Sequence, residues 1–149
     1  MALKPDRIEH LTDISFFMNT VAERGGVVSF VTSGVGVSMD DADAVVAYAT
    51  AASGSVPAGV LLNDVVNLDL TRQHINWHKD EVQVGGKVTL LRVGQVTTDL
   101  VDGNPEAGDG AYVGPSGTIS TTSTNAVKIG TFLSGKDADG YAKVSVNIQ

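Results

Sequence analysis

The sequence predicts a mainly β protein, an antiparallel β-barrel or sandwich with an N-terminal helix or arm. Short aliphatic runs alternate with turn signals about every eight to twelve residues through the second half of the chain, as sandwiches and barrels require. The final stretch alternates strictly: Ala142, Val144, Val146 and Ile148 fall on one side, and Tyr141, Lys143, Ser145 and Asn147 on the other. Hydrophobic residues make up 42% of the chain but aromatics only 5%, so the core must be built from Val, Ala, Leu and Ile, and valine favours strands. With 149 residues the chain fits one β-rich domain, residues 25–149, preceded by residues 1–24 as the arm or helix.

In residues 8–22 the apolar positions Ile8, Leu11, Ile14, Met18, Val21 and Ala22 recur at three- and four-residue spacing, and Gly25-Gly26 supplies a stop. This spacing predicts an amphipathic helix whose apolar face Phe16 and Phe17 widen. Two uses stay open for it: a contact with a neighbouring subunit through Ile14, Phe16, Phe17 and Met18, or a cap on the chain's own barrel. Val27-Val28-Ser29-Phe30-Val31-Thr32 reads as a strand. Residues 33–59 are rich in Gly, Ser, Ala and Asp; residues 40–50 fit a short helix or an edge strand at Val45-Val46-Ala47-Tyr48, which the Val and Tyr favour. Val60-Leu61-Leu62 is a buried strand, and Val65-Val66-Asn67-Leu68-Asp69-Leu70 a further extended piece. Gly85-Gly86 between residues 81–84 and 87–93 fits a two-residue hairpin turn, and Gly94-Gln95 a turn or bulge. Strands at Ala111-Tyr112-Val113, Thr118-Ile119-Ser120 and residues 127–133 follow, and Asp137-Ala138-Asp139-Gly140 turns tightly into the last one.

A net charge of -7 argues against a surface that neutralises phosphates, so no nucleic-acid partner is expected. No apolar run approaches the roughly 18 residues that span a bilayer, and no signal-type stretch follows Met1-Ala2-Leu3-Lys4; a soluble protein made in the cytoplasm, with no membrane partner, is expected. The absence of cysteine removes disulfides and thiolate metal sites.

The densest polar cluster, residues 69–81, holds two of the three histidines and the single tryptophan. On a helix His74 and His78 share a face, but the metalloprotease pattern needs Glu directly after the first histidine, where Ile75 stands. On a strand His74, Asn76 and His78 form a polar row opposite Ile75 and Trp77. Arg72 paired with Asp69 or Asp80 fits a buried hydrogen-bond network. Arg and Trp are also the residue types of interface centres, which tilts Arg72, His74, Asn76, Trp77 and His78 towards a subunit contact. Ser33-Gly34-Val35-Gly36-Val37-Ser38 lacks the third glycine of a dinucleotide site, and Asp137 and Asp139 lack the closing glutamate of a calcium loop. No catalytic residue, metal site or cofactor is expected, and therefore no enzyme.

Several segments resemble one family. Ala107-Gly108-Asp109-Gly110-Ala111-Tyr112-Val113, Ser116-Gly117-Thr118-Ile119-Ser120, Lys128-Ile129-Gly130-Thr131-Phe132-Leu133 and Asp139-Gly140-Tyr141-Ala142-Lys143-Val144-Ser145-Val146 are similar to the small β-barrel of tailed-bacteriophage head decoration, or capsid cement, proteins. Residues 59–67, 71–76 and 85–91, with Asp13-Ile14-Ser15-Phe16-Phe17-Met18-Asn19, extend the likeness along most of the chain. The resemblance implies a structural virion protein on the outer capsid surface, commonly a trimer, whose partners are the major capsid protein and itself. A tail-tube or neck component and a carbohydrate-binding module using Trp77 and Tyr112 are the rival readings.

Overall fold

The structure is a computed structural model and describes residues 2–31, 45–66, 81–82 and 84–148. Its strands are β1 (Ile8–Met18), β2 (Ala22–Glu23), β3 (Val27–Phe30), β4 (Val45–Ala47), β5 (Pro57–Val66), β6 (Glu81–Val82), β7 (Lys87–Thr98), β8 (Val101–Asp102), β9 (Gly110–Val113), β10 (Ile119–Ser120), β11 (Lys128–Phe132) and β12 (Ala142–Asn147). The protein is mainly β; the one helical element among the described residues is a 3-10 turn at Pro115–Gly117. All strands except the β2–β6 pair join one sheet, ordered β1-β4-β3-β5-β7-β12-β11-β9-β10-β8. A further pairing of β1 with β7 returns the first five members of that order upon themselves. The pairings are antiparallel except β1 with β4 and β10 with β8.

The axis of the molecule is β7. Along one edge it carries β1, from Ile8 opposite Gln95 to Phe17 opposite Lys87. Along the other, β5 pairs with its first half and β12 takes over from Val93 to Thr98. This hand-over creates two cores. One gathers Val27, Val60, Leu62, Leu91 and Val96 with the C-terminal strands, and the other gathers Phe16, Met18, Val28, Leu61, Val88 and Leu90 within the five-strand ring. Neighbours in sequence therefore face opposite cores, as Val27 and Val28 do on β3, Leu61 and Leu62 on β5, and Leu90 and Leu91 on β7. Unbroken aliphatic runs mark strands buried on both faces, and burying one such leucine contributes about 1.5–3 kcal/mol.

Tyr48 packs against the second core. Its hydroxyl donates to the Glu23 carbonyl and accepts the Gly26 N–H at 3.0 Å, while its ring lies where a Cβ on Gly117 would be. Burial pushes the Tyr48 phenol well above its ordinary value of 10.0, against the opposing effect of the Gly26 N–H. Beside it the Ser116 N–H donates to the Ala49 carbonyl at 2.7 Å, tying the end of β4 to the 3-10 turn. At the N-terminus the Lys4 N–H donates to Thr97 at 2.9 Å and the Asp99 N–H to Ala2 at 3.0 Å, which seats Leu3 in the first core.

Two expectations are corrected. Residues 8–22 do not form a helix: Ile8–Met18 is a strand. Register shifts between Glu9 and Leu11 and between Asp13 and Phe16 each insert an extra residue opposite β7, which stretches the two-residue alternation of a strand into the three-residue spacing of a helix. Gly85-Gly86 does not close a hairpin either. Both edges of the first half of β7 are occupied by β1 and β5, so β6 pairs with β2 instead, while the Gly85 N–H and Gly86 carbonyl bond to Met18. The C-terminal reading holds: Ala142, Val144, Val146 and Ile148 are buried and Asn147 is exposed. Residues 45–47 form the expected strand. Asp137 makes a turn, its carboxylate accepting the N–H groups of Asp139 and Tyr141, both at 2.9 Å.

Candidate contact surface

β1 carries the most continuous exposed apolar row among the described residues. Ile8, Leu11 and Ile14 are 44%, 46% and 52% exposed along a single strand, whereas Phe16 and Met18, two and four residues beyond Ile14, are buried. The change of side coincides with the irregularity between Asp13 and Phe16, where the Asp13 carboxylate accepts the Ser15 N–H at 2.8 Å. The bulge therefore divides β1 into an outward-facing first part and a second part that fills the core.

Of the predicted contact residues, Ile14 lies on this row. Phe16 packs edge-on against Phe30 with ring centroids 5.6 Å apart, and Met18 is 1% exposed within the same core. Phe17 is partly exposed, with the Lys87 ammonium 5.7 Å from its ring centroid. Arg72, His74, Asn76, Trp77 and His78 lie outside the described residues. Ile8 and Leu11 were legible in the sequence as part of an apolar stripe, but only the bulged strand shows that they join Ile14 on the surface. Val84 and Val21, 63% and 50% exposed, had no signal that marked them as surface residues.

Charge near the row is mostly acidic. Asp6, Glu9 and Asp13 flank the three aliphatic side chains, and Arg7 is held by Glu9 at 2.6 Å. Among the described residues no group of three or more His, Cys, Asp or Glu side chains gathers as metal ligands would, and no helix is long and apolar enough to cross a membrane. Among the described residues, one open depression lies between Phe30, Ala47 and Ser55 and another over Lys128, Thr131, Ser145 and Asn147. Neither of these two is lined by a carboxylate or an imidazole. β1 instead exposes aliphatic area with charged residues beside it in sequence.

No curated protein matches the chain. A family model described as "Structural cement protein (E217 gp24/Pam3 gp6)" matches residues 7–147, a span that starts at the threshold of β1 and ends with β12. With that match covering nearly the whole sheet, exposed row included, the chain belongs to the phage structural cement protein family.

Proposed function

We propose that this protein binds the outer surface of the phage head and stabilises it by bridging neighbouring major capsid protein subunits, as a homotrimer and without catalysis. The observation that carries this reading is the exposed aliphatic row Ile8, Leu11 and Ile14 on a strand inside the family match. Phe17 adjoins it, while the burial of Phe16 and Met18 gives those two a supporting part. The ring of β1, β4, β3, β5 and β7 reads as a small barrel, with the outward-facing first part of β1 supplying the gripping surface and the two cores the rigid body. The segment around Arg72, His74, Asn76, Trp77 and His78 is assigned a subunit contact on the chemistry of its side chains alone.

Bridging gives strength from weak contacts. Once one subunit of a trimer is seated, the others bind as if intramolecularly, and modest single-site affinities multiply into a persistent clamp. The test is co-sedimentation with undecorated heads, together with the mass of the free protein in solution. A trimer that pellets with heads is expected, and Arg72→Ala or Trp77→Ala should weaken trimer formation or pelleting. A monomer that stays in the supernatant would overturn the proposal.

A further inference from the structure

The sheet over the first core has a second face, and its rows can be followed from strand to strand. Ile8 on β1 stands opposite Gln95 on β7, Gln95 opposite Ser145 on β12, Ser145 opposite Thr131 on β11, and Thr131 opposite Gly110 on β9. A second row joins Leu11, Val93 and Asn147, and a third sets Thr97 beside Lys143. Residues directly opposite share a face, and alternation sends Val96, Phe132 and Val144 into the core, so these rows point outward and every member is at least partly exposed. The Tyr112 ring lies where a Cβ on Gly110 would be, and Lys128 lines the depression over Thr131, Ser145 and Asn147. None of these positions carries a carboxylate, in a chain with 17 acidic residues against 10 basic ones. Glu9 stands opposite Gly94, which alternates with Val93 and Gln95 and belongs to the other face. Among the described residues neither the Lys128 nor the Lys143 ammonium is held in an ion pair.

Resting on the capsid-binding reading above, we infer that this face docks flat on a carboxylate-bearing surface of the coat protein, whose acids meet Lys128 and Lys143. Its composition is that of an interface: charges are few, a tyrosine lies across it, and small neutral side chains let a partner approach closely. It is continuous with Ile8 and Leu11, two of the exposed aliphatic residues of β1. Area and charge select the occupant. Five strands about 4.8 Å apart and three rows about 7 Å apart cover roughly 300–500 Å². A stable binary complex covers about 800 Å² on each partner, so a second copy seated here alone would not hold. Two copies face to face would also set ammonium against ammonium with no carboxylate between them. A shell offers the same small site many times, and a patch of this size suffices when several subunits bind together.

The test is lysine acetylation of the full-length protein by an amine-reactive reagent, free and bound to undecorated heads, read by mass spectrometry. Lys128 and Lys143 should be protected on binding, and Lys136, exposed on the loop between β11 and β12, should react as before. Lys128→Glu and Lys143→Glu should each lower head affinity by about tenfold at unchanged thermal stability, whereas Lys136→Glu, the same change of charge off the face, should not. Heads bound without protection of Lys128 and Lys143 would overturn this footprint and leave the capsid-binding reading standing. An equal loss of affinity in Lys136→Glu would do the same, since overall charge would then account for the effect. Failure of the native protein to bind heads would overturn both. Protection that appears with protein concentration in the absence of heads would assign the face to a second copy and overturn the coat-protein partner.

Discussion

Tyr48 shows how much a single side chain can hold in a fold with few aromatics. Its hydroxyl serves two backbone groups, the Glu23 carbonyl and the Gly26 N–H, and its ring occupies the space left by Gly117. Replacing it with Phe keeps the ring and removes both bonds, so Tyr48→Phe should destabilise the protein by about 1–3 kcal/mol in denaturant titration. The pH dependence has a definite sign. A phenol whose folded pKa is raised binds its proton more tightly when folded, so its contribution is complete below the unfolded value of 10.0 and falls as pH rises above it. Stability measured above pH 10 should therefore decline less steeply with pH in Tyr48→Phe than in the native protein. Gly94 illustrates the opposite economy, since a Cβ there would strike the Ile8 carbonyl and push β1 off β7. Gly94 was readable as a turn or bulge, but only the ladder shows that it admits β1.

At the scale of elements, β1 is where sequence and structure part. Its apolar spacing matched a helix because bulges insert residues into a strand, and a one-dimensional pattern cannot tell an inserted residue from a helical turn. The same limit hid the pairing of β6 with β2. Two glycines between strands usually close a hairpin, but occupancy of both edges of β7 is a tertiary fact. β12, with no bulge and one face in the core, was legible residue by residue. The division of β1 makes a contrast that mutation can read. Phe16→Ala should cost about 3–5 kcal/mol in unfolding free energy, as truncation of a buried aromatic does. Ile14→Asp, at a residue half exposed, should leave stability within about 0.5 kcal/mol while reducing head binding. Equal losses of stability in both variants would show that the strand is not divided in this way.

For the molecule as a whole, composition already pointed to an aliphatic β core, and consecutive apolar pairs such as Val27-Val28 and Leu90-Leu91 are the trace of strands shared by two cores. The arrangement of the cores was not legible, because it depends on β7 exchanging β5 for β12 along one edge. The segment around Trp77 lies outside the described residues, and its assignment to a contact rests only on residue types favoured at interfaces. A body with two cores braced across β7, and an exposed aliphatic row on β1, suits a structural protein of a capsid. The most direct measurement is an electron cryomicroscopy reconstruction of heads assembled with this protein. Density on the outer surface where coat subunits meet, with β1 turned towards the shell, is the predicted result; density confined to the head interior, the neck or the tail would contradict it.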